Sequence, residues 1–207
     1  MKKILTTLLI LSGIYTAASA QMRNSNEFGI HIGFNSASVE YSGTGESSDY
    51  TSGLNAGISV EHYFTDAWSI KGRLNYDQKG FGNGFVTFED GSEIDGVNFH
   101  LNYLTIPVTA NWHFGRMRNW YLDFGPSFGF LASASETSHS ADVKPLFNST
   151  EVGIAFGIGV KIPISDKARL FFEYEGQGGL NNVFAQSDGT FQNIRSSLNV
   201  GLIFPIK

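Results

Sequence analysis

The sequence predicts an all-β chain, an eight-stranded antiparallel up-and-down transmembrane β-barrel, and three observations predict it. Residues Val152 to Ile162 read V-G-I-A-F-G-I-G-V-K-I, large apolar residues alternating with glycine, alanine or lysine. Alternate side chains of a strand point to opposite faces, so this run has one greasy face and one small, polar face. Its length is about that of a tilted strand crossing a bilayer. Similar runs recur along the chain, and the connections between them alternate between short and long.

In chain order the first run is Glu27 to Ser36, with Phe28, Ile30, Ile32 and Phe34 on one face. The second, Gly53 to Phe64, aligns Leu54, Ala56, Ile58, Val60 and Phe64. In the third, Trp68 to Lys79, Trp68, Ile70, Leu74 and Tyr76 oppose Lys71, Arg73, Asn75, Asp77 and Lys79. The fourth spans Phe99 to Phe114, and its apolar positions slip from odd to even at Tyr103-Leu104, which predicts a β-bulge. The fifth, Trp120 to Leu131, carries Trp120, Leu122, Phe124, Phe128 and Phe130. The sixth is the Val152 run. The seventh, Ala168 to Gln177, sets Leu170, Phe172 and Tyr174 against Arg169, Glu173, Glu175 and Gln177. The eighth, Ile194 to Ile206, aligns Leu198, Val200, Leu202, Phe204 and Ile206.

Thr65-Asp66-Ala67, Gly115 to Asn119 and Pro163 to Lys167 read as tight turns. The other connections are long and rich in Ser, Gly, Thr, Asp and Asn. Short turns on one rim and long loops on the other is the outer-membrane pattern.

A soluble barrel would show the same alternation with the apolar face inside. Two features place it outside. The polar face carries charges that nearly cancel: Lys71, Arg73, Lys79, Lys161, Arg169 and Arg195 against Glu61, Asp77, Asp123, Glu173 and Glu175. Bulk water imposes no such balance, whereas a narrow lumen must pair its ions. Aromatics also gather near strand ends on the apolar face, among them Trp68, Trp112, Trp120, Phe130 and Phe204, as interfacial girdles do.

Residues 1–20 have the three parts of an export signal: Lys2-Lys3, the apolar stretch Ile4 to Ile14, and Ala18-Ser19-Ala20 as cleavage site. Residues 21–207 then form the barrel domain. The chain has no cysteine, which excludes a lipoprotein anchor and a disulfide framework. Charged residues make up only 16%, and a net charge of −5 without a basic cluster excludes a nucleic-acid partner.

The segment Tyr103-Leu104-Thr105-Ile106-Pro107-Val108, leading to Trp112-His113-Phe114, resembles the "YLEIP" strand of the outer-membrane β-barrel (PorT-like) family, with Thr105 at the family's acidic position. The resemblance covers the whole mature chain. It implies a barrel of OmpA or OmpX size in the outer membrane of Bacteroidetes-type bacteria, where some members serve a secretion apparatus. Phe204 is followed by Pro205-Ile206-Lys207, a departure from the terminal aromatic on which outer-membrane strands often end.

The eleven inward charges are the first candidate site, expected to form an ion-paired plug. The second is a projecting hairpin between the third and fourth strands, in which Phe85, Phe88, Ile94 and Val97 flank the acidic turn Glu89 to Gly96 and could contact a protein partner by strand addition. Those carboxylates do not follow the EF-hand order. Around the long-loop rim Glu40, Glu46, Asp49, Glu89, Asp90, Glu93, Asp95, Glu136, Asp142 and Asp188 oppose only Lys144. Ser138-His139-Ser140 is the one local Ser/His cluster, and His31, His62, His100 and His113 are scattered singly, which leaves no pattern for a zinc site.

The expected function is therefore non-enzymatic: envelope structure or interaction through acidic outer loops, with adhesion or support of protein secretion as the roles. A narrow pore and an outer-membrane esterase or lipid deacylase are the alternatives. Outer-membrane lipid is the expected surrounding, a monomer the expected state, and no cofactor is expected.

Overall fold

The computed structural model describes residues 24–87, 93–137, 142–187 and 189–206, with side chains left out at 85–87 and 93–95. The expected export segment, Ser138-His139-Ser140 and the hairpin tip around Phe88 lie outside the described residues.

Each period-2 run forms a strand. The chain builds β1 (Asn26–Tyr41), the two-residue β2 (Glu46–Ser47), β3 (Thr51–Tyr63), β4 (Trp68–Thr87), β5 (Glu93–Phe114), β6 (Trp120–Glu136), β7 (Thr150–Ser165), β8 (Ala168–Gly179) and β9 (Phe191–Ile206). All pairings are antiparallel between neighbours, and β9 pairs back onto β1 from Asn26↔Ile206 to Tyr41↔Phe191. The ring is therefore closed on eight long strands. β2 pairs only with the far end of β1, Glu40↔Ser47 and Tyr41↔Glu46.

The apolar face is outward. Ile32, Leu54 and Leu198 are 64%, 61% and 65% exposed, and the rest of the even-numbered stripe follows them. A contiguous belt of this size is compatible with lipid and not with water. Trp68 pairs across strands with Trp112, Phe114 with Trp120, and the Trp112 and Phe114 rings stack at 5.2 Å, forming an aromatic girdle on the short-turn rim. In the first short turn Thr65 Oγ1 accepts hydrogen bonds from the N–H groups of Ala67 and Trp68 at 3.2 and 2.9 Å. The third turn is tighter than the sequence suggests, because β7 runs on through Pro163 to Ser165.

Glycine on the lumen face makes room for long neighbours. A Cβ on Gly159 would stand 2.3 Å from the Tyr121 ring, and one on Gly57 would stand 2.3 Å from Asn75 Oδ1. In the Val152 run Gly157 and Gly159 thus leave lumen space to Asp123 and Tyr121 of β6, while Gly153 lies against the Gly178 backbone of β8.

The expected bulge at Tyr103-Leu104 is corrected by the structure. Odd-numbered residues of β5 point inward without interruption from Val97 to His113. What changes is the interior. Thr105, Thr109, Asn111 and His113 face a polar lumen, while Val97, Phe99, Leu101 and Tyr103 face an apolar cluster. The outward side changes in the opposite sense, from Leu104, Ile106 and Val108 to Asn102, His100 and Asn98. Beyond the membrane the exterior is water, so the greasy residues turn in. A register irregularity does exist here, but Asn102↔Ser133 followed by Tyr103↔Leu131 puts the extra residue, Ala132, on β6.

Candidate functional site

All eleven predicted lumen charges point inward, and ten of them are buried; Arg169 keeps 19% of its side chain exposed. They form a column with pairs at four levels. Nearest the short turns, Lys161 Nζ lies 2.9 Å from Glu27 and 2.6 Å from Glu61, and Arg169 pairs with Glu27. Tyr63 donates its hydroxyl to Glu27 at 2.9 Å, and Ser69 and Asn111 donate to Glu61 at 2.5 and 3.2 Å. One level up, Lys71 contacts Asp123 at 2.8 Å and Glu173 at 3.1 Å, while Arg73 bridges Glu173 and Glu175. Tyr121 donates to Glu173 at 2.7 Å. Above them Arg195 pairs with Glu175 and, at 3.3 Å, with Asp77, which also accepts from Asn35 and Thr105. Lys79 pairs with Glu151 at the top, and its Nζ lies over the Tyr103 ring, 5.1 Å from the centroid.

Glu27 and Glu151 were not singled out from sequence, and they bring the carboxylates of these described lumen pairs to seven against six cations. Both were findable by phase. Glu27 leads the inward face of β1, and Glu151 lies two residues before Gly153 on the lumen face of β7, just outside the run as first bounded. Lumen tyrosines 63, 103 and 121 were also missed, because an inward aromatic is indistinguishable by type from an outward one.

The plug leaves little room. A void between Glu27, Lys71, Arg73 and Lys161 measures about 10 Å³, which is at most the space of one water molecule. Ionised groups paired this densely tie the strands of the ring to one another across the lumen.

The outer rim is arranged differently. β4 pairs with β3 up to Asn55↔Asp77, and its pairing with β5 is disturbed between Phe81 and Gly84, where Gly80 has φ +146° and Asn83 φ +57°. A Cβ on Gly80 would stand 1.9 Å from the carbonyl oxygen of Phe99, so only glycine fits the kink. Past it, pairing resumes from Gly84↔Val97 to Thr87↔Glu93. The first long connection braces the kink through a hydrogen bond from the N–H of Gly82 to the carbonyl of Asp49, 2.8 Å.

Of the four hairpin residues singled out from sequence, Val97 is corrected. It is 1% exposed and packs in the apolar cluster with Phe81 and Phe99, because it lies on the inward face of β5. Among the rim acids Glu136 is likewise buried, on the inward face of β6. Glu46, Asp49 and Asp142 are exposed as expected.

A closed eight-stranded ring with an outward apolar belt, a charged interior and long loops on one rim defines a small outer-membrane barrel. The chain belongs to the outer membrane protein beta-barrel domain family, whose model matches residues 18–204. No curated protein matches it in sequence. Among solved structures it is similar to the outer membrane protein OprG from Pseudomonas aeruginosa, with 13% identity, 91% of this chain and 99% of that chain covered, and a TM-score of 0.54. Neisserial surface protein A is similar at 16% identity, with 86% and 96% covered and a TM-score of 0.51. At these identities the likeness concerns the fold. The protein is an outer-membrane barrel.

Proposed function

We propose that this barrel is a non-conducting, non-enzymatic protein of the outer membrane that contacts a protein partner through its β4–β5 hairpin, in the PorT-like branch of its family. Adhesion and support of protein secretion are the two roles this contact would serve. The observation that carries the reading is the hairpin itself. Beyond Gly82 on β4 and Asn98 on β5, no further strand borders it among the described residues, so its backbone edges are open to strand addition. The ion-paired interior supports the same reading, since it leaves the outer rim as the place where chemistry can meet the exterior.

The test is cross-linking on intact cells, wild type against a variant in which residues 85–96 are replaced by Asn-Gly. This retains the Gly84↔Val97 pair and the buried Val97, so the barrel folds. Loss of specific cross-linked proteins from the trimmed variant is expected. Capture of the same partners by both forms would overturn the hairpin as the contact element.

A further inference from the structure

Between the kink of β4 and the bases of the first, third and fourth long connections lies a cavity of about 790 Å³. That is within the roughly 300–1,000 Å³ range of small-molecule sites. Its walls are aromatic. Phe81 and Phe99 stack at 4.7 Å between ring centroids, Phe147 and Phe184 stack at 5.3 Å, and Phe184 meets Phe191 edge-on at 5.3 Å.

These walls are held by backbone pairing and a side-chain amide as well as by one another. Phe147 and Phe184 form a β-bridge, and Asn148 donates its side-chain amide to the carbonyls of Asn182 and Phe184 at 2.8 and 3.0 Å. Together these bonds lash the third connection to the fourth. The Asp49–Gly82 bridge does the same for the first connection and the β4 kink. A cavity whose walls are fixed beforehand spends little ordering free energy when it is filled.

Charge narrows the occupant. Glu46, at the mouth, is the single ionisable acid among the described lining residues, and no lysine or arginine is among them. A carboxylate or phosphate would lose water here without gaining a cation. The lining offers apolar contact instead, with Ser47, Asn83, Gln186 and Ser187 as polar edges. Beneath lie Leu101, Tyr103 and then the Lys79–Glu151 pair, which form its floor.

The geometry points to a binding site for an uncharged hydrophobic small molecule with an aromatic ring or alkyl chain, captured from the outer side and retained at the mouth. The site is independent of the hairpin contact proposed above.

The test uses the full barrel folded in lipid nanodiscs and an uncharged alkyl-aryl diazirine, with labelled positions mapped by mass spectrometry. Lipid-facing residues such as Ile154 and Phe156 provide the partitioning background within the same sample. Saturable labelling is expected on the segments carrying Leu146 and Phe184, competed by unlabelled neutral analogue. The same probe bearing a carboxylate should label them about tenfold less at equal concentration, a difference of roughly 1.4 kcal/mol. Ala185→Trp, at an exposed lining position, should fill the mouth and reduce labelling comparably while the lipid-face background stays constant. Leu146→Gln serves the same purpose if the tryptophan variant does not fold. Non-saturable labelling, as when the chain's own loops fill the cavity, overturns the site. Equal labelling by the carboxylate probe, or no change in folded variants, overturns it as well.

Discussion

Lys161 Nζ stands 2.6 Å from Glu61 Oε2, although β7 and β3 lie on opposite sides of the ring, four strands apart in either direction. Arg73 on β4 and Glu173 on β8 repeat the relationship one level up. Charges that meet across the full width of the barrel occupy its lumen.

Planar-bilayer recordings of the wild-type protein are therefore expected to show no stable conductance steps. Reproducible unitary currents would mean that these pairs part, and would favour the transport alternative.

The two arginines near the plug are not equivalent. Arg73 is buried and joins two carboxylates, so Arg73→Ala leaves the buried Glu173 and Glu175 short of a cation. A loss on the order of 3–5 kcal/mol is expected from urea unfolding in lipid vesicles. Arg169 is partly exposed and shares Glu27 with Lys161, so Arg169→Ala should cost only on the order of 1 kcal/mol. Equal losses would contradict the vertical order of the column.

The polarity inversion on β5 predicts a depth dependence. Ile106, between Leu104 and Val108 on the outward face, faces lipid, and Ile106→Arg should cost about 2–4 kcal/mol. His100, six residues further out on the same face, stands in water beyond the belt, and His100→Arg should cost roughly 0–1 kcal/mol. Unfolding titrations of both variants check the placement of the membrane boundary, and a reversed ranking would refute it.

The strand extents show how far local pattern reaches. Strand ends on the short-turn rim fall within a few residues of the period-2 runs. On the other rim β1 runs on to Tyr41 and β6 to Glu136, past their period-2 runs, because solvent demands change there while backbone pairing continues; β4 to Thr87 and β5 from Glu93 form the projecting hairpin that the sequence predicts. The lumen charges were legible because a charge on the face opposite an apolar stripe has nowhere else to point. The partner of each charge was not legible, since partners lie up to half the ring away.

The sequence by itself determined that this chain crosses a membrane with eight strands, and which face of each strand meets lipid. Period-2 alternation is a local property, and one residue of slip would turn every apolar side chain inward. Only the tertiary structure decided that Tyr103-Leu104 marks a change of surroundings, with the irregular pairing beside it carried by an extra residue on β6 and not on β5. It also decided that Val97 and Glu136 are interior, and that five phenylalanines from distant segments enclose one cavity. Whether the space beside a strand is lipid, water or protein depends on what the closed ring and its loops place there, and a single strand does not carry that information.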